Sequence, residues 1–456
     1  MRAFRASFAE LWALAWPLAL VQLNNNLTGA VDTALAGRVD ALTVAGTGVG
    51  ASIYTAFNVV GMGAGLGLDP YVAQAMGGNE GRSARTILWQ GLWVSLLASV
   101  PLLMANVACA QHLDLLRLSP EVAEGACAYL LGRALGIVPT CVIGVLRSYL
   151  QAARLIRPIL ISAVGMNAFN LLADWLLLFG DDGLAPLGLP PLGLPRLGTF
   201  GLGLASGLAS WVQLGILAMA MRYVPMHGGG RFSRRLAWAW VRRIARIGLP
   251  ASAQMVAEVG IFSMVAVMMG GMGAQAAAAH QAALMLASLS FSLCVGFSAA
   301  TAVHVGRAIG QNAEGGARLA GLCGLVLGGG TMMLSSLLMW FLPRPLIRLM
   351  TADPELFEAA EALLLIAGAF QVVDGIQAVA AGALRGAGSA RFSFWANLLA
   401  HWGAGLPLGW ALAYHAGWGP SGLWWGLTTG LAMVALALCW HFWRLSAQHA
   451  DVLRCD

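Results

Sequence analysis

The sequence predicts an all-α polytopic membrane protein with twelve transmembrane helices in two pseudo-symmetric six-helix bundles. Three observations predict it. Apolar residues make up 59% of the 456-residue chain and charged residues only 10%, with a mean hydropathy of +0.74; soluble domains run at roughly 45–50% and ~25%. Apolar stretches of span length recur from one end of the chain to the other. Segments 233 residues apart resemble one another. A soluble fold of this composition would leave large apolar patches in water. Lipid as solvent removes that difficulty, and with it most soluble-enzyme classes.

A span needs ~20 apolar residues to cross ~30 Å of hydrocarbon. Twelve stretches qualify, near 8–36, 43–75, 87–110, 120–152, 158–180, 199–222, 240–271, 275–308, 318–342, 355–385, 391–415 and 420–444. In lipid a helix satisfies its backbone within one segment, and these stretches are too long for barrel strands. The first opens with basic residues and an apolar run, like a signal peptide. No small-x-small cleavage site follows cleanly and the helical pattern continues to Gly37, so it reads as a retained span. Residues 181–198 repeat Pro-Leu-Gly-Leu-Pro, which excludes regular helix and makes an outer loop between spans five and six.

Arginine placement sets the orientation. With the N-terminus inside, the tails and even-numbered loops, including nearby helix ends, hold 20 of the 26 basic residues. The odd loops hold Arg38, Arg117, Arg196, Arg344 and Arg348, and Arg133 falls within a span. The longest basic stretch, Arg231 to Arg246, joins spans six and seven. Positive-inside logic then puts both termini in the cytoplasm. These arginines read as topology signals with no nucleic acid involved. The chain is expected to act as a monomer in the bilayer.

There is no lysine. A P-loop needs its Lys on the phosphates and Schiff-base chemistry needs a Lys amine, so ATP hydrolysis and pyridoxal catalysis have no reagent. No HExxH, CxxC or GxSxG occurs, and no two His lie four apart within a span. The seven cysteines are scattered singly and read as packing residues. The expectation is a protein that is not an enzyme and carries no cofactor.

The internal repeat is the strongest organisational signal. Trp16-Pro17 corresponds to Leu249-Pro250, and Gly77 in VAQAMGG to Gly310 in VGRAIGQ, both at an offset of 233. LRSYLQAARLIRP (146–158) resembles LRGAGSARF (384–392). The expected layout is therefore an N-lobe over 1–223, a basic cytoplasmic linker over 224–246 and a C-lobe over 247–456. Both halves begin and end inside, as parallel repeats do in many transporters. Pro17 and Pro250 should bend spans one and seven at equivalent places.

Apart from acids close to span starts, five carboxylates fall in the interior of spans: Asp32, Asp69, Asp174, Glu258 and Asp374. Each costs at least ~2.5–3.5 kcal/mol at mid-span unless protonated, paired or wetted. No Arg lies at helical spacing from Asp32, Asp174, Glu258 or Asp374, so these acids either carry protons or bind cations in a wet cavity that all four can share. Both options describe ion-coupled transport. Asp69 precedes Pro70 near the inner end of its span and reads as a helix-end residue. Asn170 and Asp174 share a helical face with Asn167 one turn earlier, an oxygen-rich set suited to Na⁺ or a proton carrier. Ser210 in span six would add a hydroxyl. The repeat pairs Glu258 with Asn25, so the halves carry their acids at different places. The 58 glycines read as close helix packing, the tryptophans as interfacial belts, and His280 and His401 as hydrogen-bonded structural residues.

Several motifs together resemble the MATE (multidrug and toxic compound extrusion) family, its NorM-like bacterial branch above all. They are AVDTALAGRVDALTVAG after span one, Glu258 in QMVAEVGIF, AAAAHQAAL (276–284), AVHVGRAIGQ (302–311) and FQVVDGIQAVAAGALRG (370–386). The resemblance spans nearly the whole chain. It implies a V-shaped pair of bundles and an antiporter exporting amphipathic, often cationic drugs or toxic organic compounds in exchange for H⁺ or Na⁺. By the same resemblance Asp32, Asn170, Asp174, Glu258 and Asp374 couple the cation or proton, with Na⁺ an option at Asp32, Asn170 and Asp174. Asp32, Glu258, Gln281, Asp374 and Asp353 would contact the drug, while Ser210 and Asn167 support the acids. Phe370 stands where such proteins often have Tyr, which removes a hydroxyl beside Asp374. The other reading is a lipid-linked-oligosaccharide flippase of the same superfamily, which would need a basic cavity for pyrophosphate.

Overall fold

The computed structural model describes residues 2–116, 118–184, 188, 190–191, 193–224, 232–313, 315–349 and 354–448; Asp353 lies outside them. All regular structure among these residues is helical. Helix α1 (Arg2–Ala36) contains Pro17. Asp40 then caps α2 (Ala41–Gly61), its carboxylate accepting from the Thr43 N–H at 2.6 Å. After Met62 the chain continues as α3 (Gly63–Gly77), so residues 41–77 make one span-length apolar stretch.

Helix α4 covers Gly81–Gln111, and α5 (Pro120–Ala134) and α6 (Ile137–Ala152) form one span bent by 51°. The bend falls at Gly136, where an added Cβ would press on the Gly207 Cα. Helices α7 (Arg157–Phe179) and α8 (Gly198–Ala220) follow. The second half begins with α9 (Trp238–Gly271), α10 (Ala274–Gly310), α11 (Gly316–Phe341) and the short α12 (Pro343–Arg348). It continues with α13 (Pro354–Gly386), α14 (Ala390–Leu398), α15 (Leu406–Trp410) and α16 (Gly419–Leu445).

Among the described residues ten helices are long and apolar enough to cross a membrane, and the bent α5–α6 pair, counted as one span, makes an eleventh. The remaining expected span, 391–415, is helical throughout. It alternates α14 and α15 with π-wound turns at Leu399–Gly405 and Ala411–His415, so no α-segment within it reaches span length. The chain is a multi-pass membrane protein.

By contacts the chain forms two compact units. One holds Leu23–Leu68 and Gly81–Ser252; the other holds Met1–Gln22, Asp69–Glu80 and Ala253–Asp456. These are drawn differently from lobes over 1–223 and 247–456, and residues 238–246 of the expected linker already belong to α9. Glycine packing explains the division. Gly63 sits against Ser252 within the first unit, and Gly296 sits against Ala19 within the second. Each partner in the second contact is displaced from the first by 233 residues. The front of α9 therefore packs on α3, and the front of α1 packs on α10.

A second reciprocal contact lies wholly in the second unit. A Cβ on Gly77 would overlap the Arg307 carbonyl, and a Cβ on Gly310 would overlap the Gln74 carbonyl. Backbone cannot yield as a flexible side chain does. Gly310→Ala is expected to cost about 1–3 kcal/mol or more by overpacking, and to lower the melting temperature in detergent. Gly330→Ala, on an exposed part of α11 with nothing near the added carbon, should leave it unchanged or slightly raised. Equal melting of both variants would show that the crossing tolerates a methyl group.

Candidate functional site

The in-span acids gather as two pairs, one within each unit. In the first unit the pair is built by α1, α5, α7 and α8. Gly132 and Gly203 let α5 and α8 touch backbone to backbone, since a Cβ on either would overlap the other helix. That approach brings Tyr129 of α5 and Ser206 of α8 onto Asp32 of α1. The Tyr129 hydroxyl donates to Asp32 Oδ2 at 3.0 Å and the Ser206 hydroxyl donates to the same oxygen at 3.2 Å. Asn170 of α7 donates to Ser206 Oγ at 3.1 Å, which places α7 in the same network.

Asp174, one turn beyond Asn170, is fully buried, and Asp32 is 3% exposed. Their carboxyls face one another within hydrogen-bonding reach. Asp32 Oδ1 and both Asp174 oxygens are buried and accept no well-formed hydrogen bond among the described residues, although the Asn170 amide lies close to Asp174. Two carboxyl groups so placed are compatible only with a proton or a cation held between them.

Arg133 enters this site from α5, four residues after Tyr129 and so on the same face. Its guanidinium carbon lies 4.5 Å from the centre of the Tyr54 ring, and its charge acts on both Asp32 and Asp174. Nε and Nη1 are buried without a hydrogen-bond acceptor among the described residues. The expectation that these acids have no arginine nearby holds along each helix and fails across helices.

Two supporting residues also sit elsewhere than expected. Ser210 donates to the Ser206 backbone carbonyl at 3.1 Å and does not reach the acids; Ser206, one turn earlier, does. Asn167 ties α7 to α1 through the Asn24 carbonyl (2.6 Å) and the Thr28 hydroxyl.

In the second unit Glu258 of α9 is held by three amides. Gln254 (3.1 Å), Gln377 (2.7 Å) and Asn397 all donate to its Oε1. Asp374 of α13 is buried, and its nearest charged influence is Glu258. No described residue hydrogen-bonds it.

Phe370, one turn before Asp374, packs edge-on against Phe262 and Trp424 at ring separations of 5.9 and 5.6 Å. It therefore serves the aromatic core and supplies no oxygen ligand. His280 and His401 are buried, and none of their ring nitrogens has a partner among the described residues, so the hydrogen-bonded role expected for them is not what the fold shows. His280 stacks edge-on against Trp424 at 5.7 Å. Gln281, next to it on α10, is exposed. Asp69 is not a bare helix-end residue: it pairs with Arg385 at 3.3 Å.

Sequence reasoning missed Tyr129, Ser206, Gln254, Gln377 and Asn397. Gln254 alone carried a local signal, four residues before Glu258 on the same helical face. The others act across helices.

Comparison with known proteins adds three findings. A family model described as MatE matches residues 17–176 and again 250–411, with starting points separated by the repeat length. The chain is 34% identical over 451 residues to a probable multidrug resistance protein NorM from Brucella suis, covering 96% of this chain and 93% of that one. It is 31% identical over 447 residues to the multidrug resistance protein PmpM of Pseudomonas aeruginosa, covering 95% and 91%. Among solved structures it is similar to the eukaryotic MATE transporter AtDTX14, with a TM-score of 0.85 at 18% identity over 99% of this chain and all of that one. The Vibrio cholerae MATE transporter VcmN in its bent form matches with a TM-score of 0.84 at 18% identity over the full length of both. At that identity the structural likeness speaks for the fold.

Proposed function

The chain belongs to the MatE family, and from that premise we propose that it is a secondary antiporter exporting amphipathic, often cationic drugs or toxic organic compounds. The counter-ion is H⁺ or Na⁺, the membrane a bacterial inner membrane with both termini cytoplasmic, and the working unit a monomer. The observation that carries the reading is the Asp32–Asp174 pair, two buried carboxyls facing each other with neither closed into an ion pair among the described residues. Such a pair must exchange a small cation to change state. Glu258 and Asp374 place negative charge in the second unit, where Gln281 joins them as a contact for cationic cargo.

Coupling follows if ion and cargo favour different states of the same protein. Filling the carboxyl sites with the ion removes the charge that attracts the drug, so each cargo lowers the affinity for the other. A flippase for lipid-linked oligosaccharide would instead need clustered basic groups for pyrophosphate. The guanidinium of Arg133 stands with two carboxyls and not in a basic cluster, which disfavours that reading.

The test is efflux of a fluorescent organic cation from proteoliposomes with a proton gradient and a Na⁺ gradient imposed separately. One of the two should drive efflux against the dye gradient. Efflux under neither would end the antiporter reading.

A further inference from the structure

We propose that Arg133 is the ion-selectivity residue of the Asp32–Asp174 pair, a resident cation that keeps Na⁺ out of the site and leaves it to the proton. The inference deepens the antiporter reading by naming its counter-ion, and its binding test does not depend on transport.

Four observations support it. The guanidinium is permanently charged, unlike an amine that burial can neutralise. Its charge is not consumed by a close ion pair among the described residues: the guanidinium lies over the Tyr54 ring face, and two of its nitrogens have no acceptor there. Its position is set by backbone, because α5 is locked to α8 where Gly203 meets the Arg133 N–H and the Tyr129 carbonyl. And the titratable groups around it are those of the ion site itself, Asp32, Asp174, Tyr129 and Tyr54. A guanidinium in an apolar span is costly, and here it stands where its charge acts on both carboxyls without closing an ion pair with either.

The selectivity follows from magnitudes. A second cation within about 10 Å of a guanidinium, at an effective dielectric constant of about 20, is repelled enough to weaken its binding more than tenfold. The repulsion acts on protons too. A carboxylate, however, holds a proton with a dissociation constant of about 10⁻⁴ M even in water, and it holds Na⁺ far more weakly. Burial of a carboxyl strengthens proton binding by up to about three to five powers of ten and gives no such gain to Na⁺, which it strips of water. A tenfold loss therefore still leaves the proton bound near neutral pH and puts Na⁺ outside its working range. Na⁺ also requires a shell of oxygens, and Asp32 Oδ2 is already taken by two hydroxyl donors. A proton needs only the gap between the two carboxyls.

The test titrates purified full-length protein with radiolabelled Na⁺ at constant ionic strength. Arg133→Met should bind Na⁺ at least about tenfold more tightly than wild type. Arg133→Lys, which keeps the charge, should not. The gain should vanish in the Arg133→Met/Asp32→Asn double variant, which ties it to this site and separates selectivity from packing against Tyr54. Should Arg133→Met not purify as a single species, Arg133→Gln takes its place in the same series.

Equal Na⁺ binding by wild type and the neutral variant would overturn the proposal, as would a gain that survives Asp32→Asn. In proteoliposomes the wild type should respond to a proton gradient alone, and Arg133→Met should acquire a response to Na⁺. If no gradient moves dye in any variant the antiporter reading fails, while the binding series still decides the role of Arg133.

Discussion

Asp32→Asn is expected to abolish efflux, bringing proteoliposome transport to the level of protein-free vesicles, while the protein inserts and folds normally. Asn has the same shape and cannot bind a proton or balance a cation. It can still accept from Tyr129 and Ser206, and its amide can donate to an Asp174 oxygen that accepts no well-formed hydrogen bond in the wild type. Melting in detergent should therefore be unchanged or higher, because a costly buried carboxyl has gone.

Asp174→Asn should act alike. The double variant should be no worse than either single one, since residues that work as a unit lose function once. The measurements are dye efflux, drug resistance in cells and thermal melting on the same preparations. Wild-type resistance from Asp32→Asn would remove this pair from the mechanism, and strictly additive partial losses would show that the two carboxyls act separately.

Glu258 should separate charge from structure in a way the first pair does not. Glu258→Gln keeps an oxygen for Gln254, Gln377 and Asn397 to donate to, so it should fold like wild type yet fail to export a cationic dye. Glu258→Ala strands three amide donors, and Gln254, Gln377 and Asn397 are 8%, 2% and 0% exposed. Each polar group left without a partner costs about 1–3 kcal/mol, so Glu258→Ala should melt well below Glu258→Gln. Wild-type melting by the alanine variant would mean the amides find other acceptors and the cage is incidental. Continued export by Glu258→Gln would move the cargo charge to Asp374 alone.

The sequence by itself determined the class, the count of spans and the repeat, because each is a property of one segment or of two segments compared. Span length follows from bilayer thickness, and the 233-residue offset reappears in the reciprocal glycine contacts, Gly63 with Ser252 and Gly296 with Ala19. It also located the acids, since a carboxyl in an apolar run is costly wherever its helix turns. What the acids meet was decided by tertiary structure. Hydropathy reports how much of a helix is apolar and leaves open how the helix is rotated about its axis or which neighbour it touches.

Arg133 was visible as an in-span arginine, but its place beside Asp32 and Asp174 depends on the close approach of α5 and α8. Ser206 was passed over for Ser210 for the same reason: one turn along α8 changes which neighbour a hydroxyl reaches. The cage around Glu258 draws amides from α9, α13 and α14, and only the first lies at a readable spacing. Local spacing thus placed the charges, and the helix packing chose their partners, because a buried polar group is satisfied by whatever the fold brings within about 3 Å of it.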